Sequence, residues 1–358
     1  MRVAFWRTCC TWALCGAGMA QAAQFSFVAL GDTAYAGEAD HPAYAALIDR
    51  INRSQPAFTI HVGDVWGDAE CLDKDHRDIL GWFGRFDQPV VYTPGDNEWT
   101  DCIDPKVLNA FWRIGDGKAQ PGDKEAVAEF RRLSSRANRS DQWALDSLAR
   151  IRQLYFSTPR SLGKTTIALV RQSAQPGPFA HMVENARWSM DGVVFATVHV
   201  VGSMNGLSIA SEDAAAEAVR RNQADVAWIQ DAFAEAARTD AKAVVLAMHA
   251  SFFEKTPAPG HDTGHSILGG RHGPYGLIAM AVQDLAESFG KPVLLIHGDS
   301  HEFMIDRPFY VSDDEAAKPK GARLTRLQVY GAPEIRAVRI GVDTDTPWVF
   351  SFSPLYND

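Results

Sequence analysis

Cysteine is scarce in this chain, and its placement says more than its number. Of five cysteines in 358 residues, Cys9, Cys10 and Cys15 fall within the first 22 positions, which leaves Cys71 and Cys102 in the remainder. A small scaffold stapled by many disulfides is thereby excluded, and with 46% hydrophobic residues the chain has material for one large core. Long apolar runs are short supply too. The stretch through Trp12, Ala13 and Leu14, preceded by Arg2 and Arg7, is too brief to cross a bilayer. With Ala20-Gln21-Ala22 at cleavage spacing it reads as a secretory signal peptide over residues 1–22. Residues 23–358 are then expected in the periplasm or outside the cell, with no membrane span. Cys15 is not preceded by the small residues a lipid-anchor site needs. In an oxidising compartment Cys71 and Cys102 are expected to form one disulfide. Two unpaired thiols on separate loops are the alternative, because pairing needs Cα atoms within about 7 Å.

Positive charge is in deficit as well: 35 Lys and Arg against 44 Asp and Glu give a net charge of −9. Loss of Arg2 and Arg7 with the signal makes the rest more acidic still. Such a surface disfavours polyanions, so no nucleic-acid partner is expected, and an anionic substrate would need metal cations to approach. No internal repeat or low-complexity tract is evident.

What the sequence does have is a series of apolar runs, rich in β-branched and aromatic residues, each ending abruptly at a Gly or a ligand-type residue. Phe25 to Leu30 ends at Gly31-Asp32, Phe58 to Val62 at Gly63-Asp64, and Pro89 to Pro94 at Gly95-Asp96-Asn97-Glu98. Ala243 to Met248 ends at His249, and Pro292 to His297 at Gly298-Asp299-Ser300-His301. Runs apolar on both faces are strands buried in a sheet. Tyr44, Leu47, Ile48 and Ile51 recur at helical spacing after Pro42, completing a βαβ unit. Val226, Ile229 and Phe233 mark a second helix leading into the fourth run, and Val193 to Val201 reads as a further strand. The core is thus layered α/β. From Ile103 to about Arg187 helical pieces such as Leu148, Ile151 and Tyr155 alternate with polar loops, which reads as an insertion or cap. The tail carries short strands, Val338 to Val342 and Val349 to Phe352.

A single Gly-Asp pair is ordinary turn chemistry, and Gly67-Asp68, Gly115-Asp116 and Gly122-Asp123 are uninformative copies. Asp32, Asp64, Asp96 and Asp299 differ because each follows a Gly directly after an apolar run, and His249 and His301 also stand at strand exits. In open α/β sheets these exits converge on one crevice. Six such groups aimed at one place would repel or stay unsatisfied unless cations filled the space, which implies a metal cluster.

The order Gly31-Asp32, Gly63-Asp64, Gly95-Asp96-Asn97-Glu98, His249, Gly298-Asp299-Ser300-His301 resembles the signature of the calcineurin-like metallophosphoesterases, the superfamily that includes purple acid phosphatases. The match spans about residues 25 to 310. The resemblance implies an α/β/β/α sandwich carrying a helical and loop insertion, and hydrolysis of phosphate mono- or diesters by a hydroxide shared between two metal ions. It also implies that Asp64 bridges, that Asp32 and His301 hold one ion, and that Asp96, His249 and Asp299 hold the other. Three departures stand out. Thr33, Ala34 and Tyr35 follow the first Asp where the family has a His, leaving Tyr35 as the substitute. Asp96 and Asn97 replace the family's Asn and catalytic His. Asp299 replaces the first His of the last motif. Carboxylates in place of softer ligands shift preference toward Mn, Mg, Ca or Fe over Zn. A non-catalytic metal- or phosphate-binding protein on the same scaffold is the competing reading.

Asn97 is the catalytic candidate at the position of the missing His, although an amide cannot supply a proton at neutral pH. His199, His261, His265 and His272 are candidate acids, with solvated loop positions as the plain alternative. His61 and His297 precede motif glycines within strands, where a hydrogen-bonded core role fits better than ligation. Asn205 is a substrate-binding candidate or a left-handed turn residue. Arg160 and Arg271 are candidate phosphate clamps or solvated loop arginines. Trp66 and Trp99 either wall a pocket or pack beneath loops.

Overall fold

The computed structural model describes residues 24–67, 71–102, 137–207, 212–257, 265–309 and 323–356. The segment expected to be a signal peptide, residues 103–136 of the 103–187 interval, and His261 lie outside the described residues. Two sheets face each other. The first is ordered β14 (Val349–Leu355), β13 (Ala337–Asp343), β1 (Phe25–Leu30), β2 (Thr59–His61), β3 (Val90–Tyr92). The second is ordered β11 (Met304–Asp306), β12 (Leu324–Gln328), β10 (Val293–His297), β7 (Ala243–Ala247), β6 (Val193–Thr197), β5 (Ala186–Met190), β4 (Val170–Arg171). A separate hairpin pairs β8 (Phe253–Pro257) with β9 (His265–Ile267).

Period-two alternation divides each strand between two layers. In β1, Phe27 and Ala29 point into the space between the sheets while Val28 and Leu30 point outward. In β10, Leu294 and Ile296 face inward, and Val293 and Leu295 face outward. The outer face of the first sheet is covered by the helices His41–Ser54, Asp73–Phe83 and Ala137–Tyr155, through Tyr44, Leu47, Ile79, Phe83, Leu148 and Ile151. The outer face of the second is covered by the helices Glu212–Arg238 and Gly276–Phe289, through Trp228, Ile229, Phe233, Ile278 and Val282. Helix, sheet, sheet, helix is the layering the resemblance implied, on the layered α/β core read from the apolar runs. No helix among the described residues is long and apolar enough to cross a membrane.

The described part of the 103–187 interval is woven into the body. Its helix Ala137–Tyr155 seals the first sheet, with the Tyr155 hydroxyl donating to the His76 carbonyl at 2.9 Å. Its strands β4 and β5 extend the second sheet. Cys71 and Cys102 are bonded, with Cα atoms 5.7 Å apart, and tie the start of the helix Asp73–Phe83 to the loop after β3.

What positions a site is the direction of the strands. β1, β2 and β3 run parallel to one another, as do β6, β7, β10 and β12. Seven carboxyl ends therefore open along the rims of two facing sheets, where open α/β folds place their ligands. The sheets are clamped by an aromatic cluster in which Phe195 meets Phe27 edge-on at 5.5 Å, Phe58 at 5.1 Å and Trp188 in a stack at 5.2 Å. Phe195→Ala should cost about 3–5 kcal/mol in chemical denaturation, because a fully buried ring is lost and the cavity lies between two rigid sheets. A loss under about 1 kcal/mol would show that this cluster does not hold the sheets together.

Candidate metal centre

The strand exits deliver the six side chains to one place. Asp32 and Asp64 leave β1 and β2 through left-handed backbone conformations, φ +50° and +54°, and Asp299 and His301 follow β10 at φ +76° and +60°. Non-glycine residues seldom sit there, and four such residues in one site mark backbone strain held in place by the surroundings. The preceding glycines are required by close approach. A Cβ on Gly298 would overlap the Asp32 carboxylate, and one on Gly95 would overlap that of Asp64.

Backbone donors fix each carboxylate. Asp32 Oδ1 accepts from the Asp299 N–H at 2.7 Å, which joins the two sheets, and Asp64 Oδ1 accepts from the Asn97 N–H at 3.1 Å. Asp299 Oδ2 accepts from the Ser251 N–H at 2.8 Å. At the centre stands His249. Its Nδ1 lies 2.8 Å from the Val62 carbonyl, an acceptor, so the proton is on Nδ1 and Nε2 points at the carboxylates. Nε2 is 2.8 Å from Asp96 Oδ1, 3.6 Å from Asp64 Oδ1 and 3.8 Å from Asp299 Oδ1. On the other side His301 Nε2 lies 3.6 Å from Asp32 Oδ1 and 3.2 Å from the Tyr35 hydroxyl, which itself donates to Asp64 Oδ2.

Two groups of ligand atoms result, Asp32 with Asp64 and His249, and Asp96 with His249 and Asp299, the atoms of each group lying within 4.8 Å of one another. The donor set fits two cations. Asp32 Oδ2 is fully buried and has no hydrogen-bond partner. Burial, against the opposing pull of His249, pushes the Asp32 carboxyl up to about 7 and that of Asp299 up to about 6, and raises Asp64 well above the carboxylate range. Burial disfavours a charged His249, yet the carboxylates of Asp64, Asp96 and Asp32 outweigh it and raise the imidazole well above its usual value. Asp96 alone is lowered, since the hydrogen bond and charge of His249 overcome its burial. Such shifts describe an anionic cage short of positive charge.

Three further residues shape the cage: Glu98, which closes the third motif, Tyr35, expected where the family has a His, and Ser203, which carries no signal in the sequence pattern. Glu98 is buried and accepts from three backbone N–H groups, those of Asp64 at 3.1 Å, Val65 at 2.7 Å and Gly95 at 2.7 Å, so it buckles the second motif to the third. The Ser203 hydroxyl lies 3.1 Å from Asp96 Oδ2 and 2.6 Å from Asp101 Oδ1, and its single proton serves one of the two at a time. It reaches them from a left-handed turn in which Ser203, Met204 and Asn205 all have φ near +50°. Tyr35 donates as described, and burial with the Asp64 and Asp32 carboxylates keeps its phenol protonated.

The remaining candidates divide between the readings considered for them. Asn205 is buried and left-handed, and its Oδ1 accepts from Arg221 Nη1 at 2.5 Å and from the Val201 N–H at 3.3 Å. The turn reading holds for it, and its amide oxygen is turned toward Arg221 rather than the cage. Arg160 is exposed beside the edge strand β4, with its guanidinium on Thr166 at 2.7 and 2.9 Å. Arg271 is exposed and lines a depression with Met280, Gln283 and Asp284 along the helix Gly276–Phe289, away from the six ligands. Neither arginine is positioned as a phosphate clamp. The Asn97 amide donates to the Trp66 carbonyl at 3.0 Å, and the Trp66 indole N–H donates to the Asn97 carbonyl at 2.8 Å. His199 is buried against Glu184 at 2.8 Å, His272 is exposed, and His265 lies in β9. His61 and His297 are core groups pushed down to about 3 by burial. Trp99 is buried beneath Arg221, whose Cζ lies 5.2 Å above its ring.

No family model matches the chain. No curated protein matches it either. Two solved structures are similar over most of its length. A crystal structure of a dimetal phosphatase from Danio rerio is 10% identical, covers 93% of this chain and 99% of its own, and superposes with a TM-score of 0.43. GAP50, the anchor in the inner membrane complex of Plasmodium, is 10% identical, with coverage of 93% and 89% and a TM-score of 0.40.

The raised carboxyls fix a stability trend for metal-free protein. An acid with pKa 3.8 unfolded and about 7 folded holds its proton preferentially in the folded state, so its contribution falls as pH rises through that interval. His249, raised in the folded state, loses its contribution in the same direction. After chelation, Asp32→Asn should be more stable than wild type above the folded-state value of about 7, and the gap should close toward the unfolded value of 3.8. Divalent metal should reverse the order. Thermal melts across pH read this, and equal melts at pH values above the folded one would contradict it.

Proposed function

We propose that this chain is a metal-dependent phosphoric ester hydrolase acting outside the cytoplasm on a small-molecule phosphoester. The observation that supports it is the cage itself: six ligand-type side chains from five strand exits, one of them with an orphaned buried oxygen, facing a common space. By the assignment the resemblance implies, Asp64 would be the shared ligand, Asp32 and His301 would serve one side, and Asp96, His249 and Asp299 the other; in the geometry itself His249 is common to both ligand groups. Divalent cations held there would supply a water of lowered pKa, orientation of the phosphoryl group and stabilisation of the leaving oxygen.

The protein's own groups set up that chemistry. His249 is locked in the Nδ1-protonated tautomer by the Val62 carbonyl, which leaves Nε2 free to ligate. Tyr35 Oη keeps its proton and donates to Asp64, so it orients the shared carboxylate and does not act as a base. Ser203 holds one oxygen of Asp96 while His249 faces the other. A phosphoryl transition state calls for positioning and charge stabilisation more than for covalent help, which suits a cage of this kind.

A second reading, a metal- or phosphate-binding protein without turnover, is favoured by Asn97. At the position where the related phosphoesterases carry a catalytic His, this chain has an amide committed to the Trp66 carbonyl. Manganese-loaded protein should hydrolyse aryl phosphate mono- or diesters, and Asp64→Asn should lower the rate by about 100-fold or more while the fold persists. No hydrolysis of any ester by wild type, with metal bound, would leave the binding protein as the correct account.

A further inference from the structure

Beside the cage, at the edge of the second sheet, an exposed ring stacks on a buried one. β12 runs parallel to β10 with Gln328 level with His297, and the Val329 N–H donates to the His297 carbonyl at 2.9 Å. Tyr330 therefore emerges level with Gly298 and Asp299. The next residue, Gly331, has its Cα so close to His301 and to Asp32 Cβ that a side chain there would collide with both. From the antiparallel neighbour β11, whose Met304 pairs with Gln328, Phe303 emerges at the same level, two residues after His301. The Phe303 and Tyr330 rings lie parallel, 4.2 Å between centroids and 4° between planes. Arg336 braces Tyr330, with Cζ 5.5 Å from its ring, and reaches Tyr356 at 5.0 Å. Tyr330 is buried, whereas Phe303 is 37% exposed.

We propose that Phe303, backed by Tyr330, is the platform on which a flat aromatic leaving group of the phosphoester lies while its phosphoryl end enters the cage. The proposal rests on the phosphoesterase reading. An exposed phenyl ring has no stabilising role on its outward side, and this one is fixed in orientation by a buried partner that is itself held by a guanidinium. Its backbone is two residues after His301 in the segment leading into β11, and its partner is one residue before Gly331 in the segment leaving β12. The stack thus flanks the cage through chain segments that also carry His301 and, at Gly331, touch Asp32 and His301. The chemistry recognised is a planar π face, carried either by a simple aryl group or by a nucleobase.

Binding to the manganese-loaded protein tests this independently of turnover. Calorimetry would compare phenylphosphonate with methylphosphonate, which carry the same anion, and with a nucleoside 5′-phosphonate. Wild type should bind the phenyl compound roughly threefold to tenfold more tightly than the methyl one. Phe303→Ala should erase that advantage and leave methylphosphonate binding unchanged, while Phe303→Trp should retain it. Trp348→Ala, 67% exposed at the opposite end of the first sheet, should change nothing. A nucleoside compound that outbinds the phenyl one identifies a base as the ring, and the reverse identifies an aryl group. An advantage that survives Phe303→Ala overturns the platform, as does an equal loss for both small phosphonates or failure of either to bind. If the phenyl advantage depends on Phe303 but no ester is hydrolysed, the platform stands and the phosphoesterase reading falls.

Discussion

The fold depends on how four aspartates and two histidines are kept together. Asp32, Asp64, Asp96 and Asp299 converge around His249 Nε2 in a volume from which water is largely excluded, and a single imidazole cannot neutralise them. Unpaired buried charges are among the costliest arrangements a protein can hold. The backbone N–H groups of Asp299, Asn97 and Ser251 offset part of that cost, each directed at a carboxylate oxygen. The upward displacement of the Asp32, Asp64 and Asp299 carboxyls, caused first by burial, shows the direction of what remains. Cations are the partner that both fits the donor set and cancels the residual charge.

The rest of the architecture serves that arrangement. Parallel strands in both sheets aim their carboxyl ends one way, and the aromatic clamp at Phe27, Phe58, Trp188 and Phe195 holds the sheets at the separation the cage needs. Asp32 belongs to one sheet and Asp299 to the other, so the hydrogen bond between them is at once part of the site and part of the sandwich. Glu98 and Ser203 extend the same logic outward: each satisfies groups that would otherwise let a ligand carboxylate rotate.

Much of this was legible before any coordinates. A strand buried on both faces and stopped by Gly-Asp leaves a signature in apolar runs, so the strand exits bearing Asp32, Asp64, Asp96, His249 and Asp299 could be read directly. The layered α/β order followed from the same runs. Strand ends were less sharp: the run Val193 to Val201 is ladder-paired as β6 only to Thr197, after which the chain bends toward the site through Val198 and Val200. Loop residues were not legible. Asn205, Arg160 and Arg271 stand in polar loops where composition does not say which way a side chain turns, and tertiary partners, Arg221 and Thr166, claimed two of them. Glu98 and Ser203 escaped for the opposite reason, since their roles exist only once separate loops meet. The stacking of Phe303 on Tyr330 is likewise a product of register between β11 and β12, invisible in either segment alone.

Anomalous diffraction from crystals grown with manganese tests the central claim most directly. Two peaks about 3.5–4 Å apart are expected, one beside Asp32, Asp64 and His301 and the other beside Asp96, His249 and Asp299. A well-ordered cage with no anomalous density between those carboxylates would contradict the account.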